Sequence, residues 1–173
     1  MTQKLNSMRL LEQHDIPYEI VTFDDTMRDA EEIAEALGIP AYLVFKTLVI
    51  EPDSGGKPIL CIIPADQHLD LKKLAALAGE KKVRMAAHKD AEVHTGLKVG
   101  GISALALTQK NWKVFLDKSA SEHQHILVSA GQRGIDVRVP TLALINLVRA
   151  RLGELTTADA APPDSAPTPF TDS

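Results

Sequence analysis

Two apolar runs, LVFKTLVI at residues 43–50 and ILCII at residues 59–63, are separated by PDSGGKP at residues 52–58. Both runs are rich in the β-branched residues that strands favour. The segment between them carries the proline and glycine that turns require. The sequence therefore predicts a β-hairpin, and antiparallel pairing must be part of the sheet that contains it.

The segments on both sides of this hairpin alternate irregularly between helical and extended patterns. Such interleaving, with hairpins between neighbouring strands, favours an α+β fold with a twisted mixed sheet over a doubly wound parallel sheet. We expect residues 1–152 to form one domain and residues 153–173, rich in Ala, Pro, Ser, Thr and Asp, to form a disordered tail. The pattern predicts helices at residues 7–14, 26–37, 70–78, 86–94 and 140–148, and further strands at residues 16–23, 112–116, 125–129 and 135–139.

Composition narrows the class of protein. The net charge of −4 argues against indiscriminate nucleic-acid binding, although basic residues gather between positions 72 and 118. These lysines form either a local surface for RNA or a solvated helix face. The single cysteine, Cys61, excludes an internal disulfide and any zinc site that needs two thiolates. No run approaches the ~20 apolar residues of a membrane helix, so we expect a cytoplasmic protein without a membrane or DNA partner.

Familiar catalytic motifs are missing from the sequence. The nearest approach to G-x-S-x-G, at residues 101–105, lacks the closing glycine, and the glycines at 55–56 precede Lys57 and Pro58 rather than the Lys-Ser or Lys-Thr of a phosphate loop. His123 and His125 would share a strand face but have no evident third ligand, which favours a surface pair over a metal site.

Lys46 is the first unusual residue, because it lies inside an apolar strand pattern. It shares a strand face with Tyr42, Val44, Leu48 and Ile50. A lysine among such neighbours must extend to solvent, pair with an acid, or line a cavity. In a cavity it would suit a phosphate or a developing oxyanion. On an edge strand it would instead protect against aggregation.

Two glycine-containing segments are the other unusual features. Gly100 and Gly101 allow close backbone approach to a ligand and expose N–H groups, or they form an ordinary tight turn. The segment SAGQRGID at residues 129–136 joins two strands, and its Asp136 points opposite to its apolar neighbours. It is either part of a site or a solvated turn.

Four segments stand in the order FKTLV (45–49), LDLKKL (69–74), VGGIS (99–103) and SAGQRGID (129–136). Together they resemble the YbaK-like family, the relatives of the prolyl-tRNA synthetase editing domain, and within it the bacterial Cys-tRNA(Pro) deacylase branch. The resemblance covers about residues 5–150. It implies a twisted mixed sheet, partly closed like a barrel, with flanking helices. It also implies a free-standing enzyme that removes wrong amino acids from tRNA, foremost from Cys-tRNA(Pro), with no metal or organic cofactor. The partners would be tRNA and prolyl-tRNA synthetase.

The resemblance also implies roles for individual residues. Lys46 would hold the 3′-terminal adenosine or its phosphate. Our hypothesis is that N–H groups near Gly101 polarise the ester carbonyl, and that Ser129 with Asp136 shapes the pocket or contacts the ribose. For a cysteinyl substrate, its own thiol would attack the ester and release a thiolactone. The candidate catalytic residues are Lys46, Gly101 and Asp136, and the candidate substrate-binding residues are Phe23, Thr47, Gly100, Ile102, Ser103, Ser129 and Gly131.

The sequence departs from the family pattern at two positions. Ala104 stands where the glycine motif often has a proline, which would stiffen the loop, and Phe23 stands where relatives often have tyrosine. Both departures bear on which amino acid is preferred. The alternative function is a non-catalytic module that binds tRNA ends or docks on the synthetase, and Ala104 favours it. A hydrolase of small free esters or amides is a third hypothesis.

Overall fold

The computed structural model describes residues 4–157, which form five helices and eight strands. Within this range no helix is long and apolar enough to span a bilayer. The helices are α1 (Asn6–Gln13), α2 (Ala30–Leu37), α3 (Leu71–Ala78), α4 (His88–Thr95) and α5 (Thr141–Val148), and the strands are β1 (Glu19–Thr22), β2 (Phe45–Pro52), β3 (Ile59–Pro64), β4 (Val83–Met85), β5 (Lys113–Asp117), β6 (His125–Gln132), β7 (Ile135–Pro140) and β8 (Ala150–Gly153).

The strands form two sheets. One has the order β1-β7-β6 and is antiparallel, and the other has the order β4-β2-β3-β5-β8. In the larger sheet β2 pairs antiparallel with β3 and β4, whereas β3–β5 and β5–β8 are parallel. The expected α+β class with a mixed sheet is therefore confirmed. The described strands do not close into a barrel; a bridge between Val44 and Leu127 links the two sheets.

Both faces of β3 are buried, which explains its uninterrupted apolar sequence. Leu60 and Ile62 face the core that the two sheets share. Ile59, Cys61 and Ile63 face a second core, which is covered by Leu74, Ala75 and Ala78 of α3. The predicted hairpin is thus the centre of the molecule.

Helix α2 begins later than its predicted start at residue 26. The Asp24 carboxylate accepts hydrogen bonds from the backbone N–H and the hydroxyl of Thr26, at 2.9 and 2.7 Å, which makes a turn. Asp29 then caps the helix by accepting from the N–H of Glu32 at 3.3 Å, and Gly38 ends it at φ +69°. This turn carries Arg28 to the position described below.

The last described residues pack against the domain. Leu155 is fully buried, and its N–H donates to the Asp117 carboxylate at 3.0 Å. The Leu155 carbonyl accepts from the N–H of Asp70 at 2.7 Å. The packed chain therefore continues past the boundary expected at residue 152. The rest of the expected tail, from residue 158, lies outside the described residues.

Candidate active site

A cavity of about 400 Å³ lies beside β2, where this strand has an open edge. Val44 bridges to Leu127 of β6 and Ile50 pairs with Met85 of β4, but among the described residues no strand pairs with this edge in between. The Val49 carbonyl accepts from an N–H on this side, so the backbone groups of Thr47, two residues earlier, point to the same edge. The cavity therefore occupies the gap between the two sheets.

Six segments of the chain supply the cavity wall. Its volume falls in the range of about 300–1,000 Å³ that is usual for small-molecule sites. The lining residues are Arg28, Asp29, Ala30, Ile33, residues 44–49, Met85, Ala86, His88, Ala91, Val99, Gly100, Ile102, Ser129 and Asp136.

Lys46 is partly buried in this wall. Its Nζ donates a hydrogen bond to the Ala65 carbonyl oxygen at 3.3 Å. Among residues 4–157, no carboxylate lies within 4 Å of Nζ. An ammonium has three donors, so two remain for a ligand. Lys46 thus lines a cavity beside Gly100, rather than standing at a solvated sheet margin.

Asp136 reaches the same cavity from the smaller sheet. It lies on the central strand β7, between Val21 of β1 and Ser129 of β6, and is 5% exposed. Burial raises the pKa of its carboxyl from the ordinary 3.8 to about 7. Within the described part of the chain its carboxyl has no hydrogen-bond partner. A carboxyl in this state can hold or release a proton near neutral pH.

The loop before Gly100 is fixed through both polar groups of Val99. The N–H of Val99 donates to the Glu92 carboxylate at 2.8 Å, and its carbonyl oxygen accepts from Nε of Arg133 at 2.7 Å. The same Val99 N–H lowers the pKa of the Glu92 carboxyl. These contacts order the loop, although it carries Ala104 where the resemblance implies a proline.

Gly101, a candidate catalytic residue that was expected to line the pocket, lies outside the cavity lining. Its N–H donates to the Lys98 carbonyl at 2.7 Å, and a Cβ on Gly101 would lie 2.7 Å from the backbone N of Arg133. Its neighbours Gly100 and Ile102 do line the cavity. Their N–H groups have no hydrogen-bond partner within residues 4–157. They are therefore the candidates for polarising a carbonyl.

Comparison with known proteins identifies the family of the chain. The model of the aminoacyl-tRNA editing domain family matches residues 24–147. The chain belongs to this family. It is 40% identical, over 91% of its length and 96% of the relative's, to an Enterococcus faecalis protein named "Putative Cys-tRNA(Pro)/Cys-tRNA(Cys) deacylase EbsC". It is 31% identical to a proline–tRNA ligase of Anaeromyxobacter sp., over 70% of this chain but only 21% of the ligase.

Solved structures share the fold of this editing domain. The crystal structure of the hypothetical protein APE2540 matches with a TM-score of 0.80 and 21% identity, covering 88% of this chain and 99% of that one. A structure titled "a putative trans-editing enzyme for prolyl tRNA synthetase" matches with a TM-score of 0.74 and 22% identity, covering 91% and 100%.

Three of the other expected site residues of this editing domain lie outside the cavity lining. Phe23 follows β1 and does not reach the cavity. The Ser103 hydroxyl is buried and accepts from the N–H of Leu105 at 3.1 Å, capping a 3-10 turn. The N–H of Gly131 donates to the Ser129 hydroxyl at 3.1 Å inside a β-bulge. Ser103 and Gly131 therefore shape the backbone around the site, whereas Ser129 lines it.

The structure adds lining residues to the editing domain that sequence reasoning missed. Arg28, Met85 and His88 come from segments whose pattern predicts only helix or loop. The one sequence feature that could have indicated Arg28 is the next residue, Asp29, because a capping aspartate marks where the turn ends and α2 begins. Among the described residues no cluster of three His, Cys, Asp or Glu side chains could hold a metal ion.

Proposed function

We propose that this editing domain hydrolyses the ester bond of mischarged tRNA, with Cys-tRNA(Pro) as its foremost substrate. One observation carries the proposal: a single cavity combines the Lys46 ammonium, the proton-holding Asp136 carboxyl and two unpaired N–H groups, at Gly100 and Ile102. The name of the E. faecalis relative, which cites Cys-tRNA(Pro) and Cys-tRNA(Cys), supports the substrate. Its setting would be the cytoplasm, with tRNA and prolyl-tRNA synthetase as partners.

The groups in the cavity can divide the work of ester hydrolysis. Lys46 anchors the terminal adenosine or its phosphate, using the donors that the Ala65 carbonyl leaves free. The N–H groups of Gly100 and Ile102 stabilise the negative charge that develops on the ester oxygen. Because an aminoacyl ester is already activated, no Ser–His or Cys–His nucleophile is required.

Asp136 gives the cavity a group that exchanges protons near neutral pH. With a cysteinyl substrate, the substrate's thiol attacks the ester carbonyl, and Asp136 takes the thiol proton and returns it to the departing ribose oxygen. With other amino acids a water molecule takes the place of the thiol. Ser129, beside Asp136 in register, borders the ribose.

A deacylation panel tests the proposal. Purified protein is mixed with Cys-, Ala- and Pro-tRNA(Pro), and the remaining ester is followed with time. We expect Cys-tRNA(Pro) to be hydrolysed fastest and correctly charged Pro-tRNA(Pro) to persist. Binding without hydrolysis of any substrate would favour the non-catalytic module instead. Equal turnover of a small free amino-acid ester would favour a general esterase.

A further inference from the structure

Arg28 is a lining residue of the cavity to which the proposed mechanism gives no role. It follows the turn that precedes α2 and lines the cavity. Its side-chain stem packs against Gly100, where an added Cβ would lie 3.3 Å from both Cβ and Cγ of Arg28. Gly100 has φ +94°, a backbone conformation that side chains disfavour. The absence of a side chain at Gly100 thus leaves room for the stem of Arg28.

Within residues 4–157 the Arg28 guanidinium has no hydrogen-bond or ion-pair partner. The neighbouring Asp29 carboxylate is turned to its own helix, where it accepts from the N–H of Glu32 at 3.3 Å. Arg133, whose stem flanks Gly100 beside that of Arg28, differs: its Nε is bonded to the Val99 carbonyl at 2.7 Å. One arginine therefore fixes the loop, and the other keeps its five donors available.

A second donor lies on the same cavity. His88, the first residue of α4, also lines it, and within the described residues its ring has no hydrogen-bond partner. Lys46, Arg28 and His88 together can donate to an anion. The two acids in the lining, Asp29 and Asp136, repel such an anion only weakly. Asp29 is engaged as the cap of α2, and Asp136 is partly protonated near pH 7. A planar guanidinium is suited to bidentate contact with phosphate.

We propose that Arg28, together with His88 of the same cavity lining, binds a backbone phosphate of the single-stranded end that carries the aminoacyl ester. This inference rests on the proposed function and adds a contact to the substrate away from its ester. It makes the domain selective for an ester attached to RNA, because a small amino-acid ester has no phosphate to fill this subsite.

The contact between Arg28 and phosphate is measured by how strongly the enzyme prefers an ester attached to RNA over an ester without phosphate. We compare kcat/KM for Cys-tRNA(Pro) with kcat/KM for 3′-cysteinyl-adenosine in wild type and in Arg28→Gln. A charge-assisted hydrogen bond of ordinary strength predicts that the ratio falls about tenfold to a hundredfold. The dependence of log kcat/KM on log salt for the tRNA should also become shallower by about 0.7, the value for one phosphate on a single strand.

Two further variants sharpen the test. Arg28→Lys should keep the wild-type salt dependence, since the positive charge is retained. Its ratio of the two kcat/KM values should lie between those of Arg28→Gln and wild type, since the planar guanidinium with its paired donors is lost. Arg9→Gln removes an arginine from α1, outside the cavity lining, and should keep the wild-type ratio. An Arg28→Gln protein with an unchanged ratio and unchanged salt dependence would overturn the proposal.

A binding measurement separates this proposal from the proposed function. The probes are the trinucleotide CpCpA and adenosine, titrated against each protein without any ester. We expect wild type to bind CpCpA more tightly than adenosine, and Arg28→Gln to lose most of that difference. This result would support the phosphate subsite even if wild type hydrolysed no aminoacyl-tRNA. Equal preference for CpCpA in wild type and Arg28→Gln would overturn it.

Discussion

Lys46 and Asp136 reach one cavity from two different sheets, and burial has a different consequence for each. Asp136 is 5% exposed without a hydrogen-bond partner among the described residues, so its charged form is disfavoured and its pKa rises to about 7. Lys46 has the Ala65 carbonyl as a partner and an open cavity for the rest of its ammonium. One residue can therefore exchange a proton while the other stays available to a substrate anion.

Replacing Asp136 by Asn is expected to weaken the dependence of stability on pH. The folded protein keeps the carboxyl proton up to about pH 7, whereas the unfolded chain loses it near 3.8. The folded state therefore binds more protons in this window, and the free energy of unfolding falls as pH rises through it. At pH 8, Asp136→Asn should be more stable than wild type by up to about 4 kcal/mol.

Urea unfolding at pH 5 and pH 8 measures this effect, and the exposed Asp25→Asn is the matched control. The advantage of Asp136→Asn should be largest at pH 8 and shrink towards pH 5. A difference between wild type and Asp136→Asn that stays constant over this range would contradict the burial of an unpaired carboxyl.

Single residues were predictable from the sequence where a polar side chain interrupts an apolar pattern. Lys46 and Asp136 stand out in this way, and both line the cavity. Arg28 does not, because its position depends on the turn at Asp24 and on the start of α2. Gly101 lies outside the lining for a related reason: a glycine pair indicates close approach, but the sequence does not distinguish a ligand from the chain itself.

At the scale of elements, the loop at residues 98–103 is held by long-range contacts rather than by its own rigidity. Glu92 of α4 and Arg133, which follows β6, bind the two polar groups of Val99. Gly101 then packs directly on the backbone of residues 132–133. This arrangement explains how the loop is held in place although Ala104 stands where the resemblance implies a proline.

Gly101→Ala should be destabilising, because its Cβ would lie 2.7 Å from the N of Arg133 and 2.8 Å from the C of Gln132, both backbone atoms. Overpacking of this kind costs about 1–3 kcal/mol. Gly56→Ala is the control, since nothing lies within 4 Å of its Cβ position and its φ is not in the left-handed region. Thermal unfolding of both variants decides the matter. Equal melting temperatures would show that the loop can move away from β6 freely.

Elements differed in how far the sequence could predict them. The β2–β3 hairpin and helix α3 were predictable because apolar spacing, turn residues and the capping Asp70 all agree. Strands β4 and β8 were missed, since each has four residues or fewer at a sheet edge and exists through pairing with β2 and β5. The bulge at Ser129 extends β6 to Gln132, where the pattern predicts only a turn.

For the whole molecule, the site arises because the two sheets meet at one bridge and then separate along β2. Pattern alone predicts a mixed sheet but not the division into two sheets, which depends on strand pairings far apart in sequence. A contact between residues far apart in sequence also fixes the end of the described chain, where Leu155 packs into the core beside α3.

Leu155→Ala should lower the free energy of unfolding by about 2–5 kcal/mol, the usual cost of a cavity in a packed core. Leu152→Ala is the matched control on β8, because Leu152 is 43% exposed. Its cost should stay within about 0.5 kcal/mol, as for other surface positions. Denaturant unfolding of the two variants measures both values. A mild effect at Leu155 would place the domain boundary back at residue 152.

The rate of Cys-tRNA(Pro) deacylation by Lys46→Ala, measured in a single turnover, tests most directly whether the open edge of β2 is the site of editing. Lys57→Ala, in the exposed turn between β2 and β3, removes the same charge away from the cavity. With circular dichroism unchanged, Lys46→Ala should be slower than wild type by roughly a hundredfold, as expected for the loss of a charge-assisted contact, while Lys57→Ala keeps the wild-type rate. Wild-type activity in Lys46→Ala would contradict the assignment of this cavity.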